Sequence, residues 1–249
     1  MYKKGQVSWF IIFGILLVAI VLFVWYARQL GIGVEPKKFL ETRASSIRGE
    51  VEGCLGLLGE QSINAIGKMG GTLNPTKFRL YNGYRVNYLC YNVQGNERCS
   101  NRIVRLGDIE KEIEDDIDSK ISTCLNLAQF SGDYQLKTGR SNLKASIGLD
   151  DVSIDLDYPI TLETKGTTVE MRDFSKSLIR PLGRLYNTVQ AIVSDEARLG
   201  DFNKDAYMLL HKDTVIEKHR PYPDKVYVLK TRTSDYIFQF AVEGEPSAR

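Results

Sequence analysis

The sequence predicts an α+β protein: one N-terminal transmembrane helix followed by an extracytoplasmic domain of antiparallel hairpins packed with three to four amphipathic helices. Three observations carry this expectation. Residues 9–26 contain no charge and no proline. Beyond them, apolar residues recur at three- and four-residue spacing in separate stretches, the mark of helices with one buried face. Between those stretches lie segments of alternating apolar and polar residues, interrupted by turn pairs such as Asn82-Gly83 and Lys165-Gly166.

The apolar stretch comes first. At a rise of about 1.5 Å per residue it makes about 27 Å of helix, close to the hydrocarbon thickness of a bilayer. Trp9 at one end and Trp25 with Tyr26 at the other place amphipathic rings at the headgroup levels, and Lys3, Lys4 and Arg28 close the two ends. The run is longer than an ordinary signal core, and no small-x-small cleavage site follows it. Residues 1–28 therefore read as an uncleaved signal anchor, with the lipid bilayer as partner through residues 9–26. Residues 29–37, carrying Gly31, Gly33 and Pro36, read as a linker.

Charge alone leaves the orientation open, because Lys3, Lys4 and the terminal amine on one side face Arg28, Lys37, Lys38, Arg43 and Arg48 on the other. Cysteine usage tips the balance. Cys54, Cys90, Cys99 and Cys124 form no CxxC pair and have no histidine near them, which favours two disulfides over a metal site. Disulfides belong to an oxidising exterior, so the expected location is the cell membrane, single-pass, with the domain outside. The net charge of +2 is a small difference between 33 basic and 31 acidic residues, too small to steer nucleic acid, and none is expected as a partner. No cofactor and no metal is expected.

Past the linker, a helix-hairpin-helix subdomain is expected over residues 38–130. Ile47, Val51, Cys54, Leu55, Leu58, Ala65, Ile66 and Met69 form one face of a helix over about 38–69, which Gly70-Gly71 ends with a left-handed cap. The internal glycines 49, 53, 56 and 59 weaken it by up to about 1 kcal/mol each relative to alanine. Asn82-Gly83 then joins the two strands of a hairpin spanning Phe78–Tyr91. Cys90 and Cys99 flank the turn Gln94-Gly95-Asn96 and can bridge it. From Leu106, the residues Ile109, Ile113, Ile117, Ile121, Cys124 and Leu125 make a second helical stripe, surrounded by acidic residues expected on a solvated face. If these two helices pack face to face, Cys54 pairs with Cys124.

Residues 131–249 read as a β-rich subdomain with one or two helices. Leu143, Ala145 and Ile147 alternate, as do Val152, Ile154 and Leu156, with Leu149-Asp150-Asp151 turning between them. Segments from Pro159 and Thr168 flank Lys165-Gly166 as another hairpin. Pro181 opens a helix through Leu182, Leu185, Tyr186, Val189, Ile192 and Val193, and Asn203 caps a shorter one ending near Leu210. A final hairpin, Lys225–Thr231 with Asp235–Val242, ends in a strand apolar enough for the core.

The stretch Lys3-Lys4-Gly5-Gln6-Val7-Ser8 resembles the class III signal peptides of archaeal type IV pilins, which implies cutting between Gly5 and Gln6 and use of the apolar helix in assembly. Phe10 stands where those pilins usually carry a glutamate. Taken in order, the membrane helix, Val51–Cys54, Met69–Gly71, Asp157–Ile160 and Phe238–Val242 resemble a group of membrane-anchored envelope proteins of small-genome archaea with no assigned activity. That resemblance implies a compartment and an architecture, not a reaction.

No GxSxG, P-loop, GxGxxG after a strand or HExxH occurs. His211 and His219 lie eight apart without a cysteine near, Asp155 and Asp157 share a strand face, and Tyr81, Tyr84, Tyr88 and Tyr91 cluster on one hairpin. Each has an ordinary structural reading: a helix end and a strand, a polar outer face, and good strand formers. The expected function is a structural or interaction protein of the cell envelope, not catalytic. The alternatives are a pilin-like filament subunit and an envelope enzyme or ligand-binding protein with an unrecognised site.

Overall fold

The computed structural model describes residues 6–29, 36–93, 98–130, 132, 134–164 and 166–244. Gly5, most of the linker and the turn Gln94-Gly95-Asn96 lie outside the described residues.

The first helix, α1 (Gln6–Gln29), holds the apolar stretch. The second, α2 (Pro36–Met69), runs for 34 residues, and Leu40, Ile47, Val51, Leu55, Ile63 and Ile66 on it are completely buried. Its end follows the sequence expectation: Gly70 and Gly71 take positive φ, the Gly71 N–H donates to Ile66 O at 2.9 Å and the Gly70 N–H to Gly67 O at 3.5 Å, the paired bonds of a Schellman cap.

The strands β1 (Phe78–Tyr81) and β2 (Tyr84–Tyr91) form the expected hairpin, with Asn82 and Gly83 both at positive φ. A short β3 (Ser100–Asn101) returns to pair with the end of β2 and leads to α3 (Leu106–Cys124), whose buried residues are Ile109, Ile113, Ile117 and Ile121. A 3-10 turn at Leu127–Phe130 precedes β4 (Gln135–Thr138), β5 (Asn142–Ile147), β6 (Val152–Thr164) and β7 (Thr167–Leu178).

These four make one sheet. β7 lines one edge of β6 along its length, so β5 and β4 share the other edge, β5 opposite Val152–Asp157 and β4 opposite Ile160–Glu163. The sequence expectation of a separate strand starting at Pro159 is corrected: β6 runs straight through. Proline has no N–H to give the ladder, and the register shift between Asp157 and Ile160 absorbs it.

The helix α4 (Leu182–Leu199) starts one residue later than expected, with Pro181 as its cap rather than in its first turn. α5 (Lys204–Leu210) is capped by Asn203, whose side chain accepts the Ala206 N–H at 3.0 Å. Then come β8 (Thr214–His219), β9 (Lys225–Thr231) and β10 (Phe238–Val242).

The other sheet runs β1-β2-β10-β9-β8, with β3 attached to β2. The hairpins are antiparallel as expected, but this sheet is mixed, because β10 also pairs with β2 in parallel, Ala241 opposite Tyr88. All five residues of β10 are buried, as a central strand covered on both faces requires. This pairing also places strands from both sides of residue 130 in one sheet. A single apolar cluster spans α2, α3, α4 and both sheets, with Phe174, Tyr227, Tyr236, Phe238 and Phe240 among its largest members. Gly59 is where α2 meets β6 and β7: a Cβ there would lie 2.4 Å from Ile154 Cδ1 and 2.7 Å from Leu178 Cδ1.

Candidate functional site

The described side chains of α1, Trp9 and residues 11–26, are all exposed, its large apolar ones by between 49% and 71%. The helix is apolar on every side rather than on one stripe. Trp9 stacks on Phe13 within it, and Trp25 and Tyr26 lie near the opposite end. Among the described residues no helix is long and apolar enough to cross a membrane.

Both disulfides form as the sequence suggests. Cys54 joins Cys124 with their Cα atoms 6.0 Å apart, tying α2 to the last residue of α3, and Cys90 joins Cys99 at 5.2 Å, tying β2 to the segment before β3. No cysteine is left free.

The acidic face of α3 is solvated in part, with Asp115 and Asp118 exposed as expected, but three of its carboxylates hold other segments. Glu110 accepts the Ile147 N–H and Glu114 the Ala145 N–H, both at 2.9 Å. Glu112 accepts the Leu73 N–H at 2.6 Å and the Thr72 hydroxyl at 2.9 Å. These carboxylates terminate backbone that would otherwise lack partners. Among the described residues, no group of three or more His, Cys, Asp or Glu is placed to hold a metal ion.

Asp155 and Asp157 point from one strand, but Asp157 is taken by Arg172, whose Nη2 lies 2.7 Å away, and the guanidinium holds the carboxyl below its usual range. Of the four tyrosines, Tyr84 receives a hydrogen bond from Lys68 at 3.2 Å, Tyr91 lies 4.5 Å beneath the Lys77 ammonium, and Tyr81 packs against His219 with ring centroids 5.7 Å apart. Tyr88 is buried. His211 caps α5 and stacks on Tyr207 at 4.1 Å, while His219 closes β8.

Two charged clusters escaped the sequence reading. In the first, Glu196 of α4 is 1% exposed and accepts Lys225 Nζ at 2.6 Å on one oxygen and the Tyr227 hydroxyl on the other, with Lys218 Nζ 3.5 Å away. Lys218 and Lys225 also reach Asp201. Burial acts to raise the Asp201 carboxyl, yet hydrogen bonds from the two lysines hold it low. Burial, then the bond to Glu196, pushes Tyr227 far above an ordinary phenol. The signal lay in α4 itself: Glu196 continues the spacing of Val189, Ile192 and Val193 onto the buried face.

In the second cluster, the buried Asp224 accepts the Tyr88 hydroxyl at 2.7 Å and the Arg79 guanidinium on one oxygen and the Gly244 N–H at 3.1 Å on the other. Burial, then the hydrogen bond to Asp224, pushes Tyr88 up to about 12. Both oxygens of Glu196 and both of Asp224 have a donor, so these groups clamp strand to helix and strand to the segment after β10.

The chain matches no protein-family model, no curated protein and no solved structure.

Proposed function

We propose that the chain is a single-pass, membrane-anchored extracytoplasmic protein of the cell envelope with a structural or interaction role, held in the bilayer through residues 9–26 with its domain outside. The observation that carries this reading is α1, a helix apolar all round whose described side chains are all exposed. Such a surface in water costs free energy along its whole length, whereas lipid offsets that cost. The uncharged sequence from Trp9 to Tyr26 and its aromatic ends support the same environment. Two disulfides support the exterior side. The closed charge clusters around Glu196 and Asp224 support a rigid displayed domain.

The test uses the absence of free cysteine. Leu210 is 81% exposed, so Leu210→Cys supplies one reactive thiol without touching the core. A membrane-impermeant maleimide added to intact cells is expected to label this variant. Labelling that requires lysis places the domain in the cytosol and overturns the proposal. The filament-subunit alternative is favoured by the Lys3–Gln6 stretch, and a mature N-terminus at Gln6 would select it.

A further inference from the structure

At the point where β6 changes partner from β5 to β4, the sheet edge opens. The connecting residues 139–141 cross this opening, pinned on both flanks: the Gly139 N–H donates to Pro159 O at 2.8 Å, and Ser141 Oγ donates to Asp118 Oδ1 at 3.2 Å. The last turn of α3 stands opposite. Between them lies a cleft of about 510 Å³, within the range of about 300–1,000 Å³ usual for ligand sites. Its floor is apolar, made by Ile121, Leu125 and Leu156, all buried, and Tyr158 lines it where β6 bulges. At its lip, Arg140 and Ser141 are exposed.

Arg140 sets this cleft apart. It makes no ion pair and no side-chain hydrogen bond among the described residues, whereas Arg79, Arg172, Arg180 and Arg184 each hold a carboxylate. A planar guanidinium with free donors beside an apolar floor suits a ligand that ends in a carboxylate and carries an apolar group next to it. One cation does not suit a polyanion, and a floor of three side chains is short for a long acyl chain.

We propose that the cleft binds the C-terminal carboxylate of a peptide whose last residue is apolar, Arg140 holding the carboxylate and Ile121, Leu125 and Leu156 receiving the side chain. The loop backbone around Arg140 is pinned in advance, so binding has only the side chain left to order. This deepens the interaction role proposed above by naming a partner chemistry, and rests on it only for where that partner is met.

Binding is measured by calorimetry on the full chain in nanodiscs, with acetyl-alanyl-leucine and acetyl-alanyl-phenylalanine as free acids, the same peptides as C-terminal amides, and dodecanoate as a third arm. The acids are expected to bind one to one, with the amides weaker by about tenfold or more, the scale of a lost charge-assisted hydrogen bond. Arg140→Gln, at an exposed position, should weaken the acids to the level of the amides and leave the amides unchanged. Equal affinity of acid and amide, no saturable binding by either acid, or acid binding indifferent to Arg140→Gln overturns the proposal, as does tight dodecanoate binding without peptide binding. The thiol-labelling test reads topology and this one reads affinity, so either reading can fail while the other stands.

Discussion

The Glu114 carboxylate on α3 accepts the backbone N–H of Ala145 on β5 at 2.9 Å. Four residues earlier Glu110 does the same for Ile147. Four helical residues advance about 6 Å and two strand residues about 6.7 Å, so carboxylates one turn apart meet alternate outward N–H groups. The helix thereby covers a sheet edge that would otherwise offer its donors to another chain. Glu114→Ala and Glu110→Ala should each cost about 1–3 kcal/mol in urea unfolding, with Gln variants milder because the amide oxygen still accepts. Equal stability of the Ala variants and the parent would show that water serves the edge as well.

Removing the buried acid of α4 should be more damaging. Glu196→Ala leaves Lys218 and Lys225 with Asp201 as their one carboxylate beside the Phe202 and Gly200 carbonyls, and breaking a buried pair from one side costs about 3–5 kcal/mol. A change below about 1 kcal/mol in the same assay would show that Asp201 and solvent replace it.

Stability should fall at both pH extremes, for opposite reasons. Tyr88 is pushed up to about 12 by burial and then by Asp224, and Tyr227 and Tyr236 are raised too, chiefly by burial. The stability from their neutral forms is complete below pH about 10, where an unfolded tyrosine begins to ionise, and is lost as pH climbs through their folded values. On the acid side, Asp150, Asp157 and Glu217 are lowered mainly by hydrogen bonds from Arg184, Arg172 and Lys230, and Asp201 is lowered as described. Their contribution is present above pH about 4 and fades as pH falls. Unfolding free energy measured against pH checks both limbs, and Tyr88→Phe should flatten part of the alkaline one.

The two disulfides should differ in weight. Cys54–Cys124 spans 70 residues and Cys90–Cys99 only 9. In the chain-entropy account these correspond to about 4 and about 3 kcal/mol, so the Cys54→Ser, Cys124→Ser pair should lower the melting temperature more than Cys90→Ser, Cys99→Ser. The reverse order would place the main effect in the folded state.

Glycines on α2 should respond by position. Around Gly53 nothing lies within 4 Å of an added Cβ, so Gly53→Ala should stabilise by up to about 1 kcal/mol. At Gly67 the Cβ would sit 2.4 Å from the backbone oxygen of Ile237, and Gly67→Ala should destabilise by about 1–3 kcal/mol because backbone must move. Thermal melts of the two variants check the contrast, and a shift in the same direction for both would contradict it.

Whatever depends on neighbours along the chain was legible in the sequence. Apolar spacing located α2, α3 and α4, Gly70-Gly71 ended α2, Asn82-Gly83 turned the first hairpin, and Asn203 capped α5. The cysteine pairing was legible too, because Cys54 and Cys124 sit on the buried faces of two helices and Cys90 and Cys99 flank a short loop. Tertiary structure alone decided the parallel union of β2 with β10, the sharing of one edge of β6 by β4 and β5, and the burial of Glu196. It also turned Glu110 and Glu114 onto β5 and left Arg140 without an ion pair among the described residues, beside an apolar cleft. The reason is physical: periodicity tells a segment which face to bury, but the partner that buries it lies far away in sequence and is chosen by the packing of the whole domain.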